Sequence, residues 1–584
     1  MAKRLILLAL CLALILSGCA SGKQETNDPA SEPNDIISDA VTPEKEPITT
    51  NFGLAYQAQF GLNPYQCTSL TNRTILSLLY ESLFTVTSGF QVEPVLCEYY
   101  DVSSDLKRCT VHLVPEAQFW DGTRLTSADV AASYKAAMNS PVYGERFYAL
   151  DSIETPDSST VVFNTWIPYE NLTLLLDVPI VQADTVDSAV PHGTGPYRLV
   201  QERYTNTLVR NGYWWQDTYD AVVSVPGIDL VPTATPTDVR DDFEYGVTSV
   251  VCTDPNSAAY VDYHCDYELW NCSTTIMDYV GFNVYHGLFS LTELRVALTY
   301  IIDRKAIATE LYHGYAEASV LPASPLSSYY DETLAAQYDY NPEKFINAVR
   351  ATHAKTSEAV FLVCNADPRR VDAAEFIAAE AEKYDIHLIV DAVNERTYLD
   401  RLYTGDFDLY LGEARLSPTF DLSPFFDGGS LCYGSIFSND LTGMCRDAME
   451  NSGNYYTLHS SVMANGMLCP VLFKSYAVYA TRGVISNMYP AIDNVFHSSN
   501  GRTLSDAINA APEQPVSLDA QTANETEPED ASSGEAEEEQ SDEYDESEEE
   551  ESDYDYDEDE SEDYDSEEYD SEEYDYEEEE SDDS

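Results

Sequence analysis

Residues 113–134 read Leu113-Val-Pro-Glu-Ala-Gln-Phe-Trp-Asp-Gly-Thr-Arg-Leu-Thr-Ser-Ala-Asp-Val-Ala-Ala-Ser-Tyr134 and place a tight turn directly before a helix start. The pair Asp121-Gly122 is typical of hairpin turns, and the Phe-Trp pair before it should pack beside the turn. Thr126 and Asp129 have the spacing of a helix capping box. The helix that follows is predicted to turn four side chains towards a core: Val130, Tyr134, Ala137 and Met138. Most of this stretch is therefore interpreted as scaffold.

Four further blocks follow in the chain: Gly193-Thr-Gly-Pro-Tyr197, Tyr279-Val-Gly-Phe-Asn283, Leu294-Arg-Val-Ala-Leu-Thr-Tyr-Ile-Ile-Asp-Arg304 and Leu311-Tyr-His-Gly-Tyr-Ala316. Together and in this order, the five blocks resemble the family 5 extracellular solute-binding proteins, which are the substrate receptors of peptide, nickel and related ABC importers. Gly193 and Gly195 are interpreted as a source of backbone freedom before a strand, not as a phosphate cradle.

The resemblance implies an α/β fold of the two-lobed periplasmic-binding-protein kind (type II, cluster C), in which crossover strands join the lobes and a ligand binds in the cleft. Lobe I is expected at 48–282, with 473–510 returning to it, and lobe II at 283–472. The residue pattern agrees with an α/β class. Strands at 360–363, 386–390 and 408–411 with a helix at about 371–384 follow β-α-β order.

Two other helices are predicted from apolar spacing. Ile75, Leu78, Leu79 and Leu83 keep one apolar face. Ser290 and Glu293 read as a capping box in front of an apolar stripe made of Leu294, Ala297, Leu298, Ile301 and Ile302.

The amino terminus predicts export. Lys3 and Arg4 precede twelve apolar residues at 5–16, too few for a membrane span, which needs about 20. The ending Leu16-Ser-Gly-Cys19 resembles the lipobox of bacterial lipoproteins, which implies a signal peptide at 1–18 and lipid on Cys19. An ordinary signal peptide with an incidental cysteine is the alternative. Residues 19–47 are predicted to be a disordered tether, and the protein to lie outside the cytoplasm, anchored to a bacterial membrane.

Charge is unevenly spread along the 584 residues. The last sixty, from 525 to 584, hold 37 acidic residues and no lysine or arginine, and 511–584 is predicted to be a disordered acidic tail. From 20 to 524 there are 66 acidic and 28 basic residues. So acidic a chain argues against nucleic acid as a partner, because nucleic acids reward clustered cations.

Catalytic motifs are missing from the sequence: there is no G-x-S-x-G elbow, no phosphate-loop motif and no histidine pair at metal-ligand spacing. We therefore expect a protein that is not an enzyme and has no catalytic residue, cofactor or metal site. It is also expected to be a monomer. Ten cysteines follow Cys19, an even number that permits disulfides in an exported protein, although Cys364 follows an apolar run and should be buried.

Ligand contacts are predicted at the lobe edges. Arg146 lies where family members often present a cleft-facing group, and its guanidinium could hold a carboxylate; a surface ion pair is the alternative. Glu413 and Arg415 follow a strand, where α/β sheets place ligand groups. Peptide-binding relatives commonly carry an Asp near here, in a Trp-x-x-Asp-Tyr context, that pairs with the amino terminus of the peptide. This chain departs from that pattern, although Glu413 could serve as the partner of the amino terminus instead. Weaker candidates, each open to a structural role, are Asn63, Tyr65, Asn283 and Tyr433.

The sequence thus predicts an importer receptor that captures a short peptide and passes it to an ABC permease and its ATPase. A nickel-chelate or other small-solute receptor is the alternative within binding proteins. A surface interaction protein that acts through its acidic tail is the alternative from another class, and a hydrolase is more distant still.

Overall fold

A computed structural model describes residues 52–203, 205–216, 227–255, 263–354, 357–484, 490–492 and 494–497. The predicted signal peptide, Cys19, the tether and the acidic tail lie outside these residues. The strands are β1 Phe52–Tyr56, β2 Phe84–Val86, β3 Val92–Pro94, β4 Cys97–Val102, β5 Arg108–Leu113, β6 Leu150–Asp157, β7 Thr160–Thr165, β8 Tyr197–Gln201, β9 Asn206–Arg210, β10 Gly227–Pro232, β11 Val250–Thr253, β12 Tyr267–Phe282, β13 Ala316–Ala318, β14 Ser357–Cys364, β15 Ile386–Val393, β16 Leu409–Arg415 and β17 Leu468–Thr481.

The α-helices span Leu70–Leu79, Ser127–Ala137, Pro236–Glu244, Thr292–Leu298, Arg304–Ala306, Glu332–Ala335, Pro342–Thr352, Pro368–Glu382, Glu395–Thr404, Ser423–Phe426, Asn439–Glu450 and Tyr455–Ala464. A π-helical turn covers Ile307–Leu311. Within the described ranges, no helix has the length and apolar character needed to cross a membrane.

Two long antiparallel strands, β12 and β17, run through the centre of the largest sheet, whose order is β15-β14-β16-β12-β17-β11-β1-β10-β9-β8, with β13 added to β17. Their register shifts between Ser273 and Met277. Strands β1, β10 and β11 lie on one side of this shift and β14 to β16 on the other, so β12 and β17 connect two halves of the fold.

The predicted β-α-β segment is confirmed. β14 pairs in parallel with both β15 and β16, and the helix Pro368–Glu382 packs against β14 and β15. That helix starts three residues before the predicted range because Pro368 begins it and the Asp367 side chain caps it. Cys364 is buried, as predicted.

The stretch at 113–134 forms the expected turn and helix. Gly122 has a φ of 84°, and Phe119 is fully buried beside the turn. The Asp129 carboxylate accepts hydrogen bonds from the backbone N–H and the hydroxyl of Thr126, at 2.9 and 2.6 Å. One core prediction is wrong: Met138 is 38% exposed, because the helix ends at Ala137 and Met138 follows its last turn.

The capping box predicted at Ser290 and Glu293 is also wrong. The helix starts at Thr292 with Leu291 at its cap position, and the Ser290 hydroxyl donates to the Gly287 carbonyl instead. The apolar stripe behind it is confirmed, since all five of its side chains are buried.

The glycines at 193 and 195 serve a purpose other than the predicted backbone freedom. Neither has a φ in the left-handed region. A Cβ on Gly193 would lie 2.0 Å from the Leu79 carbonyl oxygen, and one on Gly195 would lie 2.6 Å from the Leu78 carbonyl oxygen. Close packing against the end of the helix Leu70–Leu79 therefore requires glycine at both positions.

Described cysteines that carry free thiols include Cys67, Cys97, Cys109, Cys265, Cys364, Cys432, Cys445 and Cys469. Six of these eight are buried, and Cys265 and Cys432 are half-buried. Buried thiols of this kind act as small apolar side chains in the core.

Candidate functional site

A cavity of about 290 Å³ lies next to the register shift of β12 and β17. Its lining comes from 64–86, 141–146 and 177–179, from Thr275 on β12, from 415–431, and from Ile492 and Asn494. Chain segments from before and after the crossing strands therefore share one cavity, which is the arrangement expected of a cleft between lobes.

The helix Leu70–Leu79 forms one wall. Its core face holds Ile75, Leu78 and Leu79, whereas Arg73, Leu76, Ser77 and Tyr80 follow the i, i+3, i+4, i+7 spacing and all line the cavity. Ser69 starts the helix by accepting a hydrogen bond from the Asn72 N–H at 3.1 Å. One helix thus presents an apolar face to the core and a mixed face with a guanidinium to the cavity.

Arg146 lines the cavity, as the sequence predicted, but it has a partner there. Its Nη2 lies 2.5 Å from the Asp177 carboxylate, and the two side chains are 14% and 15% exposed. Burial lowers the pKa of Arg146, but the neighbouring Asp177 charge raises it above its usual value overall. An ion pair therefore exists at Arg146, but it is largely buried rather than on the surface, and a ligand role for Arg146 stays a prediction.

Arg415 also lines the cavity, at the end of β16. Its Nη2 donates to the Tyr476 hydroxyl at 2.5 Å, and the residue is exposed. This bond is one of the contacts that Arg415 makes. A ligand role for Arg415 stays a prediction.

Glu413 faces a different group from the one predicted for it. Its carboxylate lies 2.6 Å from the Lys474 ammonium, which also contacts Asp367 at 2.7 Å. Burial raises the pKa of Glu413, but the Lys474 and Arg370 charges bring it below its usual value overall. Glu413 does not line the cavity, so its use as a partner for a peptide amino terminus stays a prediction.

Glu81 lines the cavity behind the helix Leu70–Leu79. The indole N–H groups of Trp214 and Trp215 donate to its two carboxylate oxygens at 3.2 and 3.0 Å. Burial raises the pKa of Glu81 to about 7, although these hydrogen bonds oppose the shift. The Glu81 carboxyl group can therefore gain or lose its proton near neutral pH.

The four weaker candidates lie outside the cavity lining. Asn63 donates to the Val186 and Ser188 carbonyls, and the Tyr65 hydroxyl donates to the Pro179 carbonyl. Asn283 donates to the Gly405 carbonyl, and Tyr433 packs edge-on against Tyr403 and Tyr410. These contacts support the structural role for each, and a ligand role stays a prediction.

Contacts outside the cavity lining join segments from the two sides of the fold. Phe90 and Phe420 have ring centroids 4.8 Å apart, and the Tyr169 and Thr419 hydroxyls lie 2.9 Å apart. The Glu170 N–H donates to the Met449 carbonyl at 2.8 Å. Segments from the two sides of the fold therefore touch each other beside the cavity.

Sequence reasoning missed Arg73, Glu81 and Asp177. A signal existed for Arg73, because it is the one charged residue in a helix that is otherwise apolar or neutral polar. Asp177 and Glu81 meet their partners across 31 and more than 130 residues, a separation that no local pattern reveals. In the described part of the chain, no three His, Cys, Asp or Glu side chains lie close enough to hold a metal ion.

The middle of the chain matches a known protein family. Residues 91–435 fit the family described as "Bacterial extracellular solute-binding proteins, family 5 Middle". The glutathione-binding protein GsiB of Salmonella typhi is 25% identical over 297 residues, which cover 48% of this chain and 57% of that protein. The chain thus spans little more than half the length of the curated relatives it matches.

Among solved structures, the ABC transporter substrate-binding protein CtaP from Listeria monocytogenes superposes with a TM-score of 0.62 at 17% identity, covering 74% of this chain and 94% of that one. HbpA2 from Haemophilus parasuis gives 0.63 at 17% identity, covering 77% and 99%. At such identity the likeness shows the fold alone, and it confirms the predicted two-lobed α/β architecture. The lobe boundaries at 282/283 and 472/473 stay predictions.

Proposed function

The chain belongs to the bacterial extracellular solute-binding proteins of family 5, and on that premise we propose that it captures a short peptide non-covalently and delivers it to the permease of an ABC importer. The observation that carries this proposal is the cavity beside β12 and β17, which Arg146 and Arg415 line from distant parts of the chain. A guanidinium is the side chain best suited to a peptide carboxylate.

The cavity's size and lining support a small ligand. Its volume of about 290 Å³ lies at the lower end of the roughly 300–1,000 Å³ found for ligand pockets. The described lining combines apolar side chains such as Leu76 and Leu416 with a few charged ones. The relative GsiB is named for glutathione, a tripeptide. A peptide of two or three residues fits these features.

A metal chelate is the second candidate, because its chelating carboxylates would suit the same arginines. The described lining includes no histidine and one cysteine, Cys67. The described lining therefore provides few side chains that could ligate the metal of a chelate directly. This favours a peptide as the ligand.

Binding is proposed to act through closure of the lobes about β12 and β17. Ligand contacts from both walls stabilise the closed arrangement, and the difference in ligand affinity between open and closed forms drives the shift. Small-angle scattering of a chain that ends at Pro512 should show a smaller radius of gyration after a peptide that it binds is added. An unchanged radius at saturating peptide would contradict closure.

Membrane attachment through lipid on Cys19 is proposed from the sequence, and would place the receptor on the outer side of the cell membrane beside its permease. Intact mass of the exported protein tests this, because acylation adds the mass of the fatty chains. A Cys19→Ala variant of the full chain is the matched control and should lose that mass and the membrane association.

Mass spectrometry of the ligand released from natively purified protein tests the proposed function. Recovery of peptides of two or three residues, with calorimetric binding of a synthetic copy, supports it. Recovery of a metal chelate instead, with no peptide binding, overturns it in favour of the second candidate.

A further inference from the structure

The loop at 166–171 reaches across the fold to a pair of helices. It follows β7 directly and therefore belongs to the part of the chain before β12. Glu170 in this loop contacts the junction between the helices Asn439–Glu450 and Tyr455–Ala464, which lie between β16 and β17. The loop thus joins segments from the two sides of the crossing strands.

Backbone hydrogen bonds fix the loop to its own side of the fold. The Trp166 N–H donates to the Ala149 carbonyl at 3.1 Å, and its indole N–H donates to the Tyr148 carbonyl at 2.7 Å. The Tyr169 N–H donates to the Leu106 carbonyl at 2.8 Å. All three acceptors precede β12, so the loop should move with that part of the fold.

Glu170 completes the hydrogen bonding of the helix junction. Its N–H donates to the Met449 carbonyl at 2.8 Å, and its carboxylate accepts from the Ser452 N–H at 2.6 Å. Met449 lies in the last turn of its helix and Ser452 begins a 3₁₀ turn, positions whose backbone groups have no partner within their own helix. The bond from Ser452 is charge-assisted, because its acceptor is a carboxylate.

Two further contacts lie beside this one. The Tyr169 and Thr419 hydroxyls are 2.9 Å apart, and the Arg446 guanidinium carbon lies 5.9 Å from the centre of the Trp166 ring. The described cavity lining includes neither these four residues nor Glu170. Glu170 can therefore influence a ligand in the cavity only through the arrangement of the lobes.

Rotation of the lobes about β12 and β17 would separate the loop from the helix junction. Hydrogen bonds of 2.6 and 2.8 Å tolerate only a few tenths of an ångström of stretching before they weaken. The Glu170 contacts therefore belong to the arrangement in which the two sides touch. A contact that exists only in the closed form raises its population, and with it the affinity for every ligand by the same factor.

We propose that Glu170 is a latch between the lobes, which stabilises the closed form through the helix junction at 449–452 and so sets the affinity of the cavity without touching the ligand. This inference rests on the proposed function, because it concerns the closure that the proposed capture requires.

Calorimetry with the tripeptides Ala-Glu-Ala and Ala-Gln-Ala tests the latch, because a residue that acts through closure should affect both ligands equally. Glu170→Ala should weaken the binding of each by the same factor, about threefold to tenfold for one exposed hydrogen bond to a charged group. Glu170→Gln should lie between, since its amide oxygen can accept from Ser452 without the charge.

Ser452→Pro removes the donor of the same bond. Asn451 before it has extended backbone, with φ −146° and ψ 114°, which suits a following proline, and proline fits the first position of a helical turn. This variant should lose as much affinity as Glu170→Ala, and the double variant should lose no more than either alone.

Glu395→Ala is the matched control, because Glu395 is an exposed carboxylate in the first turn of the helix Glu395–Thr404. It should leave both affinities unchanged, and thermal melting of each variant establishes that it folds. Small-angle scattering of the ligand-free, full-length protein gives a measure that needs no ligand. Its radius of gyration should be larger for Glu170→Ala than for the unaltered protein and for Glu395→Ala.

Unchanged affinities in the Glu170→Ala variant overturn the latch and leave the proposed function standing. Unequal losses for the two tripeptides also overturn it, because Glu170 would then act on the ligand itself. If the unaltered protein binds no short peptide, the proposed function is wrong. An unchanged radius of the ligand-free Glu170→Ala variant would in that case overturn the latch as well.

Discussion

Arg146 and Asp177 form a largely buried ion pair at the cavity wall, with the guanidinium also lying 4.9 Å from the centre of the Tyr143 ring. Removing one member of such a pair leaves the other as an uncompensated buried charge. Arg146 therefore acts first as a structural residue, and any ligand carboxylate it meets must compete with Asp177.

Arg146→Ala should lower the free energy of unfolding by about 3 kcal/mol, because Asp177 is left buried without its cation. Urea unfolding at neutral pH measures this. The double variant Arg146→Met, Asp177→Leu should recover most of the loss, and Arg108→Ala serves as the exposed control. A variant Arg146→Ala that keeps its stability but binds peptide far more weakly would show that the arginine serves the ligand instead.

Asp278 is the other residue whose charge matters to the fold. It lies fully buried on β12, accepts a hydrogen bond from the Tyr312 hydroxyl at 2.6 Å, and its Oδ1 has no hydrogen-bond partner among the described residues. The charged groups whose fields act on it are Lys474, Glu413, Arg370 and Asp367. Burial raises the pKa of Asp278 to about 7 despite the nearby cations.

A raised pKa means that the folded protein binds this proton more tightly than the unfolded chain, whose Asp titrates near 4. Its stabilising contribution is therefore full below about pH 4 and is lost as pH rises through about 7. Asp278→Asn stays neutral and can still accept from Tyr312, so its free energy of unfolding should fall less than that of the unaltered protein over this range. Denaturant unfolding from pH 4 to 8 measures this, with exposed Glu116→Gln as control. Parallel curves for Asp278→Asn and the unaltered protein would exclude Asp278 as the titrating group.

At the scale of elements, local periodicity predicted what lies in the core and little about what faces the cavity. The spacing of Ile75, Leu78 and Leu79 identified the helix and its buried face, and the order of strands and helix at 357–415 identified the parallel sheet. The opposite face of the same helix has the same period. Whether solvent or a ligand covers that face depends on segments that arrive from positions up to 494, which periodicity does not encode.

Ion pairs were unpredictable for the same reason. Lys474 meets Asp367 across 107 residues, and the pairing depends on the register of β17 against its neighbours. The family pattern led to Arg146 and the position after a strand led to Arg415, and both line the cavity, but neither argument could show that Asp177 pairs with Arg146.

Gly195 links the family pattern to the cavity, because its N–H donates to the Leu79 carbonyl and its missing side chain lets the chain approach the helix Leu70–Leu79. Gly195→Ala should cost about 1–3 kcal/mol of stability, since the added Cβ would meet backbone rather than a movable side chain. Peptide affinity should fall as well, because the helix that shifts forms one wall of the cavity. Thermal melting and calorimetry measure both effects.

Gly443→Ala is the matched control. Gly443 lies inside the helix Asn439–Glu450, and a Cβ added there would have no neighbouring atom within 4 Å. Alanine at this position should therefore raise stability by about 0.5–1 kcal/mol. If both variants lose stability to the same degree, close packing is not the reason for glycine at 195.

At the scale of the whole molecule, the proposed ligand cavity and the acidic segment 525–584 come from separate stretches of the sequence. The family match ends at residue 435, and every described cavity-lining residue lies between 64 and 494. The 37 acidic residues of 525–584 come after all of them. Their negative charge should repel an acidic peptide at low ionic strength.

A chain that ends at Pro512 should therefore keep its melting temperature and its peptide affinity, with a small gain in affinity for acidic peptides at low salt that disappears at high salt as screening removes the repulsion. Calorimetry of the full-length and shortened proteins with Ala-Glu-Ala, at low and high salt, measures this. Ala-Gln-Ala is the matched ligand, and the gain should be smaller for it because it carries one carboxylate fewer. A tenfold loss of affinity on truncation would instead mean that the tail takes part in capture, as the alternative of a surface interaction protein predicts.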